Sequence, residues 1–207
     1  RCFSFVSALI AFFTIPAKGK SIREPVKDWT LTYSETIDGP QSTPITASVP
    51  GCVQMDWGKA FNIPSYHEGN NVIRYYGLED RFWHYFTTIK VARSREVPYL
   101  CLDGVEYEYD VLIDGKAVLS HEGMFTRVRI DISEYKGKEV PVEIRIHPAP
   151  KVEGTVPVPG IGNESAESCK PAFSYGWDWC PRFITLGIVD EVYVEYRPET
   201  HLTSWDL

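Results

Sequence analysis

Residues 83–91 read Trp83-His84-Tyr85-Phe86-Thr87-Thr88-Ile89-Lys90-Val91. The side chains that fall on one side of this run are Trp83, Tyr85, Thr87, Ile89 and Val91. Successive side chains of a β-strand point to opposite faces, so a period of two is typical of a half-buried strand. The same alternation recurs at 107–113, 128–132, 140–146 and 188–196, which predicts four further strands, the last of them long.

Turn signals separate these segments. Asp114-Gly115 follows segment 107–113 and favours a tight hairpin, because both residues tolerate positive φ. No segment sustains a helical period over three turns, and one short helix is expected at 53–60, after Pro50-Gly51. Many short strands punctuated by Gly and Pro predict an all-β domain over residues 20–197. We expect two antiparallel sheets packed as a jelly roll or β-sandwich.

Composition narrows the class of protein. The chain has 207 residues, of which 43% are apolar and 24% charged, as expected for one folded domain. Its 21 Lys and Arg against 28 Asp and Glu give a net charge of -7 without a cationic stripe, which argues against nucleic acid as a partner. The five His show no metal-ligand spacing, so neither a metal nor a cofactor is expected. The acid-rich segment 106–110 is expected to present its acids on a solvated outer face, with Ca²⁺ binding as the alternative.

The N-terminus has the layout of a secretory signal peptide over residues 1–19. Arg1 precedes an apolar run that ends at Ile15, and small residues follow at 17 and 19. The run is shorter than the roughly 20 residues that span a bilayer, and no second such run follows. The alternative is a first core strand or a buried helix. We therefore expect no membrane span and a secreted or periplasmic protein, or a lysosomal one if the source is eukaryotic.

Four Cys remain after residue 19. None lies in a Cys-x-x-Cys pair, which argues against structural zinc. Cys169 and Cys180 bracket a short loop and are candidates for a disulfide, whereas Cys101 lies in an apolar run and is expected to be a small buried residue. Four Cys allow three pairings, and bridging requires Cα atoms within about 7 Å, so the pairing stays open.

The segment 148–181 breaks the alternating pattern. It carries six Pro and the densest aromatic cluster of the chain, Phe173, Tyr175, Trp177 and Trp179, with the carboxylate of Asp178 among them. Loops of this length are usually functional or disordered. A sugar ring offers apolar C–H faces and hydroxyl donors, and an indole beside a carboxylate suits both. The alternative is that Trp177 and Trp179 fill the core while Asp178 caps a turn.

The order of several motifs resembles the exo-acting β-mannosidases of glycoside hydrolase family 2. Residues 176–181, which we call the Trp-Asp loop, match the Gly-Trp-Asp-Trp-x-Pro segment of that family, with Cys180 where Gly is usual. Residues 48–54 resemble its Val-Pro-Gly-x-Val-His segment, with Gln54 in place of His. Further similarity lies at 62–70, at 83–85, and from Leu102 to Gly115 followed by Met124-Phe125, so the match spans about 29–196.

The resemblance implies a jelly-roll domain of the galactose-binding-domain-like type that precedes an immunoglobulin-like domain and a catalytic (β/α)8 barrel. By position, Trp177 and Asp178 would contact the terminal mannosyl unit, with Trp179, Lys170 and Tyr175 in support. The partner would be a β-mannoside or related oligosaccharide, together with downstream domains of the same polypeptide. Both catalytic Glu lie on the barrel in that family. This chain would therefore hold no catalytic residue and would be inactive alone. Residues 198–207 would be a linker toward the following domains.

Three hypotheses follow for the function. The first is the N-terminal domain of a secreted β-mannosidase-like hydrolase. The second is a free-standing carbohydrate-binding module, and the third is a structural domain whose loop indoles are buried. A β-galactosidase or β-glucuronidase specificity shares the jelly roll but not usually the Gly-Trp-Asp-Trp segment, and ranks below the mannosidase.

Overall fold

The computed structural model describes residues 21–155 and 163–200. The expected signal peptide, residues 1–19, lies outside the described residues, as do positions 201–207 of the expected linker. The strands are β1 (Ile22–Pro25), β2 (Thr30–Ser34), β3 (Ile45–Thr46), β4 (Phe82–Lys90), β5 (Val97–Leu102), β6 (Val105–Glu106), β7 (Glu108–Ile113), β8 (Lys116–Glu122), β9 (Val128–Asp131), β10 (Glu139–Ile146), β11 (Gly187–Ile188) and β12 (Val192–Arg197). One helix, α1, spans Val53–Ala60. Short 3-10 helices lie at Asn71–Tyr75, Leu78–Asp80, Ser133–Tyr135, Asn163–Ser165 and Ala172–Tyr175.

Two larger sheets and one small sheet organise these strands. The six-stranded sheet has the order β3-β2-β4-β10-β7-β8, and the four-stranded sheet has the order β1-β12-β5-β9. A two-stranded ladder joins β11 to β6. All of these pairs are antiparallel. The all-β sandwich expected from the sequence is confirmed.

The core lies between the two larger sheets. Trp83 and Tyr85 of β4 are fully buried beneath the six-stranded sheet, and Leu100 of β5 and Val194 of β12 face them from the four-stranded sheet. Each large apolar side chain buried in this way stabilises the fold by about 1.5–3 kcal/mol. The period of two in the sequence therefore marks the inner face of the sandwich.

Three local predictions were confirmed: the Asp114-Gly115 turn, helix α1 and the burial of Cys101. Asp114 and Gly115 have φ of 52° and 73°, so both lie in the left-handed region that the β7–β8 hairpin requires. Helix α1 spans residues 53–60, as expected. Cys101 is completely buried, as expected for a small apolar side chain.

The prediction of one long strand over 188–196 was wrong. The backbone N–H groups of Val189 and Asp190 both donate to the carbonyl of Gly104, which takes these residues out of the ladder. The chain consequently leaves β11 and enters the four-stranded sheet as β12. Alternation in sequence continues through this corner, so the pattern alone does not reveal the change of sheet.

The expectation of a solvated face for all the acids of 106–110 was wrong at Glu106. Its side chain is buried, and it accepts a hydrogen bond from the Lys170 ammonium at 2.9 Å. The reason is that Glu106 belongs to β6, which lies under the segment carrying Lys170 and does not continue the exposed face of β7.

Candidate functional site

The Trp-Asp loop is a closed turn that follows a 3-10 helix. Helix Ala172–Tyr175 ends at Gly176, whose φ of 115° favours glycine. The N–H of Trp177 donates to the carbonyl of Cys180 at 2.8 Å, and the N–H of Cys180 donates back at 3.3 Å. The chain then rejoins the helix through a bond from Phe183 N–H to the Ser174 carbonyl. These bonds hold the loop without help from its side chains.

The loop presents its distinctive side chains to solvent. Trp179 is 72% exposed, Asp178 is exposed, and Trp177 is partly buried. The two indoles meet edge to face, with ring centroids 5.7 Å apart. Asp178 makes no hydrogen bond or ion pair with any of the described residues. The interpretation in which both indoles fill the core is therefore wrong.

A cavity of about 600 Å³ opens beside the loop. Its walls include Tyr76, Trp177, Asp178, Trp179 and Arg182. Tyr76 is 46% exposed and Tyr175 also lines the cavity, so the cavity combines four aromatic side chains with the carboxylate of Asp178, which has no partner among the described residues. This combination suits a ligand with apolar faces and hydroxyl donors.

Tyr175 and Lys170, predicted as supports, are both buried. The Tyr175 hydroxyl donates to the Pro150 carbonyl at 2.6 Å, and burial raises the pKa of this phenol. The Lys170 ammonium pairs with Glu106, and burial lowers the pKa of Lys170 despite that carboxylate. Tyr175 therefore stabilises the base of the Trp-Asp loop through its hydroxyl. Lys170 links the segment before the loop to strand β6 through its ion pair with Glu106.

Arg182 is a support that the sequence did not indicate. Its guanidinium donates to both carboxylate oxygens of Glu164 and to Glu79 at 3.2 Å, and it also reaches the Tyr175 carbonyl. Although burial disfavours its charge, these carboxylates raise the pKa of Arg182 above its usual value. The signal available in sequence was an Arg directly after Pro181, but its two partners lie far away along the chain.

A disulfide between Cys169 and Cys180 is not formed. Both thiols are free, Cys169 being exposed and Cys180 partly buried. The position of Cys180 is set by the backbone bonds of the turn, and the Cys169 N–H donates to the Tyr107 hydroxyl at 3.0 Å. The sequence had left this pairing open, and the two candidates are not bridged in this structure.

Residues 21–155 and 163–200 contain neither a cluster of metal ligands nor a helix that could span a membrane. No group of three or more His, Cys, Asp or Glu is placed to hold a metal ion. In the same ranges, every helix is too short or too polar to cross a bilayer.

Comparison with known proteins places the chain in a family. Residues 29–190 match the family described as "Glycosyl hydrolase 2 galactose-binding domain-like". The chain belongs to this family. The similarity to glycoside hydrolase family 2 inferred from the motifs is thereby confirmed.

Curated relatives of this galactose-binding-domain-like chain are named as β-mannosidases. It is 24% identical over 182 residues to "Beta-mannosidase B" of Aspergillus clavatus, covering 82% of this chain and 21% of that protein. It is 27% identical over 184 residues to "Beta-mannosidase" of Bos taurus, covering 79% of this chain and 21% of that protein. The chain thus spans about a fifth of the length of these relatives.

Solved structures share the fold. The "Beta-D-Mannosidase from Dictyoglomus thermophilum" superposes with a TM-score of 0.73 at 20% identity, covering 89% of this chain and 23% of that one. A "Beta-glucuronidase" of Faecalibacterium prausnitzii superposes with a TM-score of 0.57 at 15% identity, covering 86% of this chain and 32% of that one. At this level of identity the likeness concerns the sandwich alone.

Proposed function

We propose that this galactose-binding-domain-like chain is the N-terminal carbohydrate-binding domain of a secreted, exo-acting β-mannosidase-like hydrolase. In this proposal, residues 1–19 are a signal peptide and residues 198–207 lead toward an immunoglobulin-like domain and a (β/α)8 barrel. The protein then acts outside the cytoplasm, or in the lysosome of a eukaryote. The β-mannosidase relatives support the choice of mannose among family 2 sugars.

The observation that carries the proposal is the exposure of the Trp-Asp loop. An indole 72% exposed to water leaves a large apolar surface uncovered, and such surfaces mark binding sites or interfaces. Asp178 stands beside it without a partner among the described residues, so its carboxylate is available to hydroxyl groups. The loop forms one wall of the terminal-sugar pocket, and the barrel supplies the others.

In this proposal, the groups that carry out the reaction lie outside the described residues. Hydrolysis with retention uses two carboxylates about 5–5.5 Å apart across the scissile bond. Glu164 is buried and bonded to Arg182, and Asp178 has no carboxylate partner within the described residues. We therefore assign both catalytic glutamates to the barrel and expect this chain alone to be inactive.

Steady-state kinetics of the parent enzyme test the proposal. With 4-nitrophenyl β-mannoside, Asp178→Asn should lower kcat/KM by about 10–100-fold, because a hydrogen bond to a charged group contributes about 1.5–3 kcal/mol. Trp177→Ala should lower it by a similar factor. The matched controls are Asp38→Asn and Phe125→Ala, which alter an exposed carboxylate and an exposed aromatic outside the loop. Unchanged kcat/KM in both loop variants would refute the proposal.

The free-standing binding module is tested on the chain itself. Calorimetry with methyl β-mannoside should detect no binding tighter than about 1 mM at the Trp-Asp loop, because half of its pocket is supplied elsewhere. Tighter binding that disappears in Trp177→Ala would favour the module instead.

A further inference from the structure

A second cavity, of about 700 Å³, lies on the other side of the Trp-Asp loop. The two cavities share only Cys180 and Pro181 among their lining residues. The second is walled by three segments that the fold brings together, at 66–72, 171–174 and 183–185, with Glu106 of β6 at its wall. Neither Trp177 nor Asp178 reaches it.

Aromatic rings form part of this wall. Tyr66 and Phe183 stack in parallel with centroids 4.4 Å apart, so each holds the other in place. Phe173 is 49% exposed and also lines the cavity. The site therefore offers a rigid aromatic pair and one ring with an accessible face.

Glu106 gives the cavity a hydrogen-bond acceptor, Oε1, that no residue of 21–155 or 163–200 uses. Its Oε2 atom accepts from Lys170 Nζ at 2.9 Å and from the Thr185 hydroxyl at 2.7 Å. Its Oε1 atom has no hydrogen-bond partner among the described residues. Because it is also absent from the unpaired side-chain atoms that solvent cannot reach, Oε1 is accessible. A carboxylate has about four acceptor positions, so Oε1 can accept from a ligand.

The charge of the site favours an uncharged ligand. The buried ammonium of Lys170 offsets the charge of Glu106, and apart from His67 the other polar side chains of the wall, Asn70, Ser174 and Thr185, carry no charge. A cation gains little from a carboxylate that is already paired, and an anion would lie against Glu106 itself. A neutral molecule with hydroxyl donors and an apolar face meets neither cost.

We propose that this cavity is a second carbohydrate site, which binds an uncharged glycosyl unit independently of the Trp-Asp loop. A hydroxyl of the sugar donates to Glu106 Oε1, and the C–H face of its ring packs on Phe173. The proposal goes beyond the function of the Trp-Asp loop and does not depend on a barrel.

Nuclear magnetic resonance of the ¹⁵N-labelled chain tests it, with β-1,4-mannobiose as the probe. The disaccharide should shift the amide signals of Glu106, Phe173 and Thr185. Phe173→Ala should weaken binding about fivefold, as expected for one lost aromatic contact. The matched control Phe125→Ala, whose ring is 75% exposed and lies outside the cavity, should leave binding unchanged. Glucuronate and glucosamine should bind at least about fivefold more weakly than the neutral sugar, because each carries a charge.

Two results would overturn the proposal. One is the absence of shifts at these three amides up to about 10 mM mannobiose, the range of weak sugar sites. The other is binding that Trp177→Ala abolishes and Phe173→Ala leaves intact, which would place the sugar at the Trp-Asp loop. Glu106→Gln should also weaken binding. If the Glu106→Gln variant does not fold, Phe173→Ala supplies the test. The Asp178→Asn kinetics test the Trp-Asp loop and not this cavity. A failure of the present proposal is therefore distinguishable from a failure of the proposed function.

Discussion

Tryptophans 83 and 179 have opposite environments. Trp83 is fully buried, and its indole N–H donates to the Leu78 carbonyl at 2.8 Å. Trp179 is 72% exposed and touches mainly its neighbour in the loop, Trp177. The first contributes packing and a buried hydrogen bond, whereas the second contributes accessible apolar surface.

The two residues should respond oppositely to truncation. Trp83→Ala should lower the free energy of unfolding by about 3–5 kcal/mol, because it leaves a large cavity and an unpaired carbonyl. Trp179→Ala should change it by less than about 0.5 kcal/mol, as exposed positions usually do. Urea unfolding followed by circular dichroism measures both. A loss of several kcal/mol in Trp179→Ala would mean that the loop belongs to the core.

The buried pair of Lys170 and Glu106 predicts a strong effect of breaking it. Lys170→Met should cost about 3–5 kcal/mol, because the buried carboxylate of Glu106 would lose its cationic partner. Adding Glu106→Gln should restore part of that loss. Lys90→Met is the matched control, since Lys90 pairs with Glu139 at an exposed surface and should cost at most about 1 kcal/mol. Equal urea midpoints for the Lys170 and Lys90 variants would contradict this account.

At the scale of elements, Gln54 and Gly58 are two of the residues through which helix α1 contacts the remainder of the fold. Gln54 is buried, its amide donating to the Ile184 carbonyl at 2.6 Å while its oxygen accepts from Leu186 N–H at 3.3 Å. On the helix surface, Gly58 lies directly beneath the ring of Tyr75. The helix thus positions the residues that lead out of the Trp-Asp loop.

Gly58 is predicted to resist a change that usually stabilises helices. Alanine in a helix is ordinarily favoured over glycine by about 1 kcal/mol. Here a Cβ would lie 2.6 Å from the Tyr75 hydroxyl, on a side chain that is itself buried, so Gly58→Ala should instead cost about 1–3 kcal/mol. Tyr75→Phe should reduce that cost by removing the nearest atom. Thermal unfolding of the two single variants and the double variant measures the coupling, and a stabilising Gly58→Ala would refute the steric explanation.

At the scale of the whole molecule, one carboxylate joins distant parts of the chain. Glu195 of β12 is almost fully buried and lies near Arg23 of β1 at 3.3 Å, Arg129 of β9 at 3.9 Å and Arg197 at 2.6 Å. Although burial disfavours its charge, Arg197, Ser21 and Arg23 hold the pKa of Glu195 below its usual value of 4.5. The pairing of β1 with β12 brings the first and last described strands to this one site.

This arrangement predicts a loss of stability in acid. With a depressed pKa, folded Glu195 binds fewer protons than the unfolded chain, so its stabilisation is present above pH 4.5 and is lost as pH falls through the folded pKa. Glu195→Gln should lower the melting temperature at neutral pH and make its decline toward about pH 3 shallower. Glu167→Gln, at an exposed carboxylate, should follow the unmodified chain. Parallel curves for all three proteins would contradict the assignment.

The elements were predictable in part, and the reason differs between segments. Strands β4, β7 and β10 bury one face of a sheet, so apolar residues recur at every second position of their sequences. The edge strand β1 is exposed at all four residues and therefore shows no alternation of apolar and polar residues, so it was not predicted from the sequence. The corner between β11 and β12 was missed because alternation continues through it.

The candidate site divides in the same way. The local run Gly176-Trp177-Asp178-Trp179 identified the loop, since indoles and a carboxylate at adjacent positions are a feature of the chain itself. Arg182, Glu79 and Glu164 were not recognised together, because their pairing depends on chain segments up to 103 residues apart. The role of Glu106 as an acceptor was likewise not recognised, since its partners Lys170 and Thr185 lie 64 and 79 residues away along the chain.

By itself, the sequence determined the alternating strands, the left-handed turn at Asp114-Gly115 and the composition of the Trp-Asp loop. Each of these is a short-range property, set by which side chains stand next to one another along the backbone. Tertiary structure alone decided that Trp179 faces water, that Cys169 and Cys180 stay apart, and that Glu106 lies paired beneath Lys170. Burial and charge pairing depend on which distant segments come into contact, and that is settled only when the sheets pack together.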